Sequence, residues 1–526
     1  MRRIISFVIA LALALCTPAF AEELVFTVGL DGDIVALDPA YAYDFTTNPV
    51  INQICQGIVA FDENNQIVPK LAESWEAVDD TTYVYKIRSD VKFSDGSPMT
   101  MEDVLFSLAR HKDAAVGSYL GWMFDAVESI EQTGDWELTI KLTKPSATWQ
   151  YVLGTAAGQI ISKAACEAAG DLFGTAEGGL IGTGPYVFES WKSGQEITLV
   201  KNQNYWETGV EVAIDTLIFK VIPEDVTRIT ALQAKQVDCA FILPADMLDI
   251  LKACDHLTVE AVETFGLTYL AMNVYMAPLN EVNVRKAIYH AIDFEAIAAN
   301  IIKEAGQPGT VIPHSESLYT INPEEWEAYA ASAPVYEYNV EKAKEYLAES
   351  SVPEGFSTTL ITNEDSLRYS ICLAIQEYLS QVNINVEILK VSSDEHTNYQ
   401  MGGVLTAEGI RDYGMLIGGW ESDYPDISGN LEPLYAGYNT GDGGCNAACY
   451  ANEEVDVLLR AQNASTDPAE RNQLMFQALD IVTDEIPYIN IQYPVRNIAV
   501  NNAFEGFSMT AAWTWNLDFS KITPAA

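Results

Sequence analysis

Apolar and polar residues alternate with period two along several short stretches in the first third of the chain. Thr82-Tyr83-Val84-Tyr85-Lys86-Ile87 and Trp136-Glu137-Leu138-Thr139-Ile140 each put their apolar side chains on one face of an extended backbone, the pattern of a half-buried strand. Leu24-Val25-Phe26-Thr27-Val28 predicts an opening strand. Asp62-Glu63-Asn64-Asn65 predicts a hairpin, and Phe93-Ser94-Asp95-Gly96 a tight turn. Thr100-Met101-Glu102-Asp103 resembles a helix N-cap with an acidic first turn, followed by the apolar face Val104, Leu105 and Leu108. After about residue 210 strands and helices alternate. Ile218-Phe219-Lys220-Val221-Ile222 reads as a strand and 225–234 as a helix with Ile229 and Leu232 inward. Helical spacing recurs over 284–291, 294–304, 340–349 and 366–381, the last leading into the strand 385–389. Such a succession through residues 280–490 predicts an α/β fold, and 489–493 and 497–500 return to strands.

The chain has 526 residues, too many for one ordinary core, so two or three domains are expected. With 49% hydrophobic residues it can fill them. Arg2 and Arg3 precede the apolar run 4–15, and Ala19-Phe20-Ala21 offers a small-x-small cleavage site. We read residues 1–21 as a secretory signal, since the run is short for a membrane span. A lipid anchor would use Cys16, but Leu15 stands where lipoprotein processing wants Gly, Ala or Ser. The formal charge is −45, a field that repels phosphate backbones and argues against nucleic-acid partners.

Of eight cysteines, seven follow the signal, an odd number that leaves at least one thiol free or paired with another molecule. Cys445 with Cys449 and Cys239 with Cys254 are the expected disulfides. Cys55, Cys166 and Cys372 lie in apolar contexts and read as buried thiols. With no C-x-x-C, no His pair and the isolated residues His111, His256, His290, His314 and His396, neither a metal nor a cofactor is expected. No G-x-S-x-G, H-E-x-x-H or P-loop pattern is present, and Pro185 after the glycine-rich 178–184 suits a turn better than a phosphate loop. An exported hydrolase is therefore the lesser alternative, and no enzyme is expected.

One segment carries candidate chemistry. Gly418-Gly419-Trp420-Glu421-Ser422-Asp423-Tyr424-Pro425-Asp426 follows an apolar strand-like stretch and combines aromatic rings with carboxylates. Rings that exclude water beside a fixed carboxylate are suited to holding an ammonium group. A surface turn is the competing reading of this segment by itself.

Further blocks accompany it. They are Pro69-Lys70-Leu71-Ala72-Glu73-Ser74-Trp75, Val91-Lys92-Phe93-Ser94-Asp95-Gly96-Ser97-Pro98 with Glu102-Asp103-Val104, Gly182-Thr183-Gly184-Pro185-Tyr186, Asn202-x-Asn204-Tyr205-Trp206, and Val284-Arg285-Lys286-Ala287-Ile288 running on to Ala291-Ile292-Asp293. Their order and spacing resemble the bacterial extracellular solute-binding proteins of the peptide/nickel type. The resemblance implies an α/β, two-lobed periplasmic-binding-protein fold with a strand-rich subdomain inserted in the first lobe. It divides the chain into 22–60 (first lobe), 61–185 (inserted subdomain), 186–272 (first lobe), 273–492 (second lobe) and 493–526 (first lobe), with crossings near Asn273 and Gln492.

The function so implied is capture of di- or oligopeptides outside the inner membrane, in the periplasm or extracellularly. The protein would act as a monomer and pass its peptide to the membrane permease subunits of an ABC transporter. A nickel or metal-chelate ligand is the alternative, and opines, heme and glutathione-like ligands are also served by this fold. By the resemblance, Asp423 holds the peptide ammonium, with Trp420 and Tyr424 as wall or core packing beside it. Arg368 is placed for a ligand carboxylate, and Tyr43 and Asp44 edge the cleft. Glu421 and Asp426 are expected to be solvated or structural, and Asn273 structural.

Overall fold

A computed structural model describes residues 23–313, 323–407 and 409–526. The proposed signal, with Cys16, and His314 lie outside the described residues.

The strand Tyr488–Asn501 organises the molecule. Its first part pairs antiparallel with Gly266–Met272, Tyr488 opposite Ala271 and Gln492 opposite Thr268. Its last part pairs with Leu257–Glu263, Val495 opposite Glu263 and Asn501 opposite Leu257. Two sheets thus share one strand. On one side follow Cys239–Ala240, Val25–Leu30, Thr216–Val221, Glu196–Lys201 and Tyr186–Lys192; on the other lie Gly266–Met272, Met415–Glu421, Phe356–Thr362 and Ile384–Lys390. Val25–Leu30 is parallel to both its neighbours, and the helix Asp225–Gln233 makes the crossover between Thr216–Val221 and Cys239–Ala240.

The chain passes between the sheets twice, side by side. One passage is Thr264-Phe265, between Leu257–Glu263 and Gly266–Met272; the other is Tyr493-Pro494 within the shared strand. Pro494 lacks the N–H a continuous ladder needs, and its carbonyl accepts from the Thr264 hydroxyl at 3.1 Å, tying the passages together. Asn273 lies at the far end of Gly266–Met272, fully buried, and its side-chain amide donates to the carbonyls of Arg411 and Tyr413 at 2.9 Å. It is an internal brace of the second sheet.

The alternating stretches form a separate four-stranded antiparallel sheet of Ala72–Asp79, Thr82–Ile87, Glu137–Leu142 and Val127–Gly134. Tyr83, Tyr85, Ile87, Leu138, Ile140 and Leu142 point into the core, while Lys86, Glu137 and Lys141 face solvent. The helix Met101–Ala109 covers this layer and starts in a full capping box, Thr100 accepting from the Asp103 N–H and Asp103 from the Thr100 N–H. Thr100→Ala removes one half of it and is expected to lower stability by about 1 kcal/mol in chemical denaturation. In the α/β part, the helices Val282–Ala291, Val340–Ala348 and Ser366–Ser380 stand where the spacing places them. The stretch 294–304 does not stay α-helical: Phe294–Ile297 widens into a π-turn at Ala298–Ile302.

Neither expected disulfide forms; the seven cysteines among the described residues are free thiols. Neighbouring strand residues point to opposite faces, so Cys239 joins the core around Phe26 and Phe219 while Ala240 joins the one around Ile229 and Leu232. Cys254 packs against that second core, on the other side of the sheet from Cys239. Between Cys445 and Cys449 the turn is pinned by Asn446, whose amide donates to the Ala436 and Tyr450 carbonyls, and Cys449 takes a left-handed conformation with φ 55°. That turn leaves the two thiols unbonded.

Candidate ligand-binding cleft

The strand Met415–Glu421 runs through the second sheet and delivers its last residue to the passage between the lobes, Glu421 opposite Gly266. Glycine lets it do so. A Cβ on Gly418 would stand 2.8 Å from the Tyr269 ring, so bare backbone is needed there, while one on Gly419 would stand 2.8 Å from the movable end of the Arg368 side chain. The next residues form a tight turn, the Ser422 N–H donating to the Phe265 carbonyl and the Ser422 hydroxyl to the Tyr424 carbonyl at 2.9 Å. Asp426 ends it, accepting from the N–H and hydroxyl of Ser428 where the helix Ser428–Tyr435 begins. The carboxylate also forms a fully buried ion pair with Arg471 at 2.9 Å. Asp426 is therefore structural, and it is not solvated.

The turn belongs to the second sheet by sequence but docks into the first lobe. Tyr424 is buried in the first lobe's core and stacks on Tyr151 with ring centres 5.7 Å apart. The Trp515 indole N–H donates to the Asp423 carbonyl at 2.9 Å, and the Tyr43 hydroxyl donates to Asp423 Oδ2 at 3.1 Å. The lobes touch each other here, beside a cleft of about 210 Å³. Tyr43, Asp44, Phe45 and Trp515 wall it from the first lobe; Glu421, Ser422 and Asp423 face them.

Burial, and then the nearby negative charge of Glu421, push the Asp423 carboxyl up to about 7, with the Tyr43 hydrogen bond pulling the other way. Tyr43 is itself held above its ordinary value by burial and by Asp423. Burial also raises Glu421, against the opposing charge of Arg496, which binds it at 2.6 Å and lies 5.0 Å over the Phe45 ring. Asp44 caps the turn before the helix Thr47–Ile54: its Oδ1 accepts from the N–H groups of Thr46 and Thr47 and from the Thr46 hydroxyl. Its Oδ2 is buried with no hydrogen bond.

Four of the six residues singled out from sequence thus meet between the lobes: Tyr43, Asp44, Asp423 and Tyr424, the last as an anchor in the core. Trp420 turns the other way, packing against the second lobe's core with its indole N–H donating to the Gly429 carbonyl at 2.7 Å. Arg368 sits in the first turn of Ser366–Ser380 against Gly419, and does not line the cavity. Sequence reasoning missed Trp515, Thr514 and Arg496 and left Glu421 aside. The aromatic-rich Ala511-Ala512-Trp513-Thr514-Trp515-Asn516 was the available signal, but it lies 92 residues from Asp423.

Comparison with known proteins agrees with this architecture. The solved structure of HbpA2 from Haemophilus parasuis superposes with a TM-score of 0.81, covering 96% of this chain and 100% of that one at 24% identity. The periplasmic binding protein DppA from Helicobacter pylori, in complex with the peptide STSA, gives 0.75 over 95% of this chain and 98% of that one, at 24% identity. These likenesses establish the two-lobed α/β fold. In sequence, the glutathione-binding protein GsiB of Escherichia coli K12 is 28% identical over 484 residues, 91% of each chain. The model of the bacterial extracellular solute-binding proteins, family 5 Middle, matches residues 66–442, well over half of the chain. This protein belongs to the family 5 bacterial extracellular solute-binding proteins.

Proposed function

We propose that this chain is the capturing component of an ABC importer, holding a peptide by its α-ammonium group between two lobes that close over it. The observation that carries this reading is the place of Asp423: a carboxylate on the cavity wall, delivered by one lobe and covered by Tyr43 and Trp515 of the other. A charge-assisted hydrogen bond from an ammonium to that carboxylate contributes roughly 1.5–3 kcal/mol. The cavity of about 210 Å³ is smaller than the ~300–1,000 Å³ typical of sites for drug-sized ligands. It suits the first residue or two of a peptide, and a longer one would hold the lobes further apart.

In this reading the first lobe comprises 22–60, the strand-rich insertion 61–185, the stretch from 186 to the passage at Thr264-Phe265, and the residues after Pro494. The second lobe lies between. Residues 1–21 direct export to the periplasm, where the monomer delivers its peptide to membrane permease subunits. Among the described residues no helix is long and apolar enough to cross a membrane, and no three His, Cys, Asp or Glu converge as metal ligands.

Thermal-shift titration against di- and tripeptides, glutathione and nickel–histidine tests the proposal. A bound peptide at 100 times its Kd adds about 2.7 kcal/mol to folded-state stability and raises the melting temperature. A response to nickel–histidine with none to any peptide would overturn the peptide reading in favour of a metal-chelate receptor.

A further inference from the structure

We infer that the cleft beside Asp423 is a pocket for the side chain of the ligand's first residue, and that it selects an uncharged, apolar one such as leucine or phenylalanine. The inference rests on the proposal that Asp423 holds that residue's α-ammonium group.

The first side chain leaves the same carbon as the ammonium, so it lies against whatever stands next to Asp423. Here that is chiefly ring and methyl: Tyr43, Phe45, Phe265 and Trp515, with Ala511. Phe265 and Ala511 are buried, at 2% and 6% exposure. The other rings are held in place by the protein itself. Phe45 stacks on Trp513 with ring centres 5.4 Å apart and has the Arg496 guanidinium 5.0 Å over its ring. Trp515 is pinned through its N–H to the Asp423 carbonyl, and Tyr43 through its hydroxyl to the Asp423 carboxylate. Walls fixed in advance cost little ordering when a ligand enters.

The polar groups of the wall are already engaged. Glu421 is paired with Arg496 at 2.6 Å. Asp44 turns one carboxylate oxygen to the Thr46 and Thr47 N–H groups, and its other oxygen is shielded from solvent. The Ser422 hydroxyl donates to the Tyr424 carbonyl at 2.9 Å. This leaves the Thr514 hydroxyl for the ligand's own backbone. A charged first side chain gives up its hydration here for no free partner, whereas an apolar one releases water that the rings hold poorly. An apolar cavity of ~150 Å³ is enough to bind benzene. The volume of about 210 Å³ therefore admits a leucine or phenylalanine side chain.

The test is calorimetric titration of the intact protein with Ala-Ala, Leu-Ala, Phe-Ala, Lys-Ala, Glu-Ala and N-acetyl-Leu-Ala. Leu-Ala and Phe-Ala are expected to bind about 10–100-fold more tightly than Ala-Ala, from the extra apolar area they bury, and Lys-Ala and Glu-Ala no more tightly than Ala-Ala. N-acetyl-Leu-Ala, which lacks the ammonium, is expected to bind at least ~10-fold more weakly than Leu-Ala. Thr514→Leu, which puts a branched side chain into the pocket from its wall, is expected to reduce the preference for Leu-Ala over Ala-Ala to less than ~3-fold. Equal affinity for Ala-Ala, Leu-Ala and Phe-Ala overturns the inference and leaves ammonium capture standing. So does Lys-Ala or Glu-Ala binding as tightly as Leu-Ala, or an unchanged preference in Thr514→Leu. N-acetyl-Leu-Ala binding as tightly as Leu-Ala overturns ammonium capture, and the inference with it. If none of them binds, both are overturned.

Discussion

Asp423→Asn is expected to weaken peptide binding by about 10–100-fold, and to remove its rise with pH between pH 5 and pH 7. Asparagine keeps the shape and can still accept from Tyr43, so the loss isolates the charge. In the unaltered protein the carboxyl sits at about 7, above its ordinary 3.8. An ammonium needs the ionised form, which is about 1% of the molecules at pH 5 and most of them at pH 8. Apparent affinity should therefore rise about 50-fold between pH 5 and pH 7 and fall again above about pH 8, where the ligand's own α-ammonium loses its proton. Stability of the ligand-free protein runs the opposite way. A carboxyl whose folded value is raised disfavours folding once it ionises, so its contribution is intact below about pH 4 and is lost as pH rises towards 7. Asp423→Asn should then be at least as stable as the parent at pH 8. Titration calorimetry and urea denaturation at pH 5, 6.5 and 8 measure both. Affinity independent of pH in the unaltered protein would remove Asp423 from the site.

Arg471→Leu is expected to cost roughly 3–5 kcal/mol, the penalty for leaving a buried charge unpaired. Arg471 and Asp426 are both almost wholly shielded from water at 2.9 Å, and Asp426 also starts the helix after the ligand turn. Replacing both residues with apolar groups should be far milder than replacing Arg471 alone, since no charge is then stranded. Burial alone would raise the Asp426 carboxyl, but the Arg471 guanidinium and the Ser428 hydroxyl and N–H outweigh it and hold it below 3.8. Its stabilisation is present above pH 4 and lost as pH falls through that lowered value. Urea titrations of the parent and both variants at pH 7 and pH 3 follow this. If Arg471→Leu unfolds at the same urea concentration as the parent, the pair is not what holds the turn.

Wherever neighbouring residues suffice, the fold can be read without coordinates. The alternation of Tyr83, Tyr85 and Ile87 becomes an inner face because the strand period is a property of the backbone. Thr100 and Asp103 cap their helix through groups three residues apart. Failures begin where distance along the chain stops reporting distance in space. Cys239 and Cys254 are close in sequence, yet a sheet stands between them. Trp420 and Asp423 belong to one motif, yet the turn sends the indole into the second lobe and the carboxylate to the cleft.

The sequence by itself determined the α/β architecture, the family, and Asp423 as the residue to examine, because periodicity, capping and block order are local and survive without coordinates. Only the tertiary structure decided what surrounds that carboxylate. Trp515 and Arg496 come from the end of the chain, Tyr43 and Asp44 from its beginning, and Glu421 from the motif itself. Their convergence depends on two adjacent passages between lobes and on one strand, Tyr488–Asn501, shared by both sheets. The electrostatics of this cleft are a sum over side chains that meet only after folding.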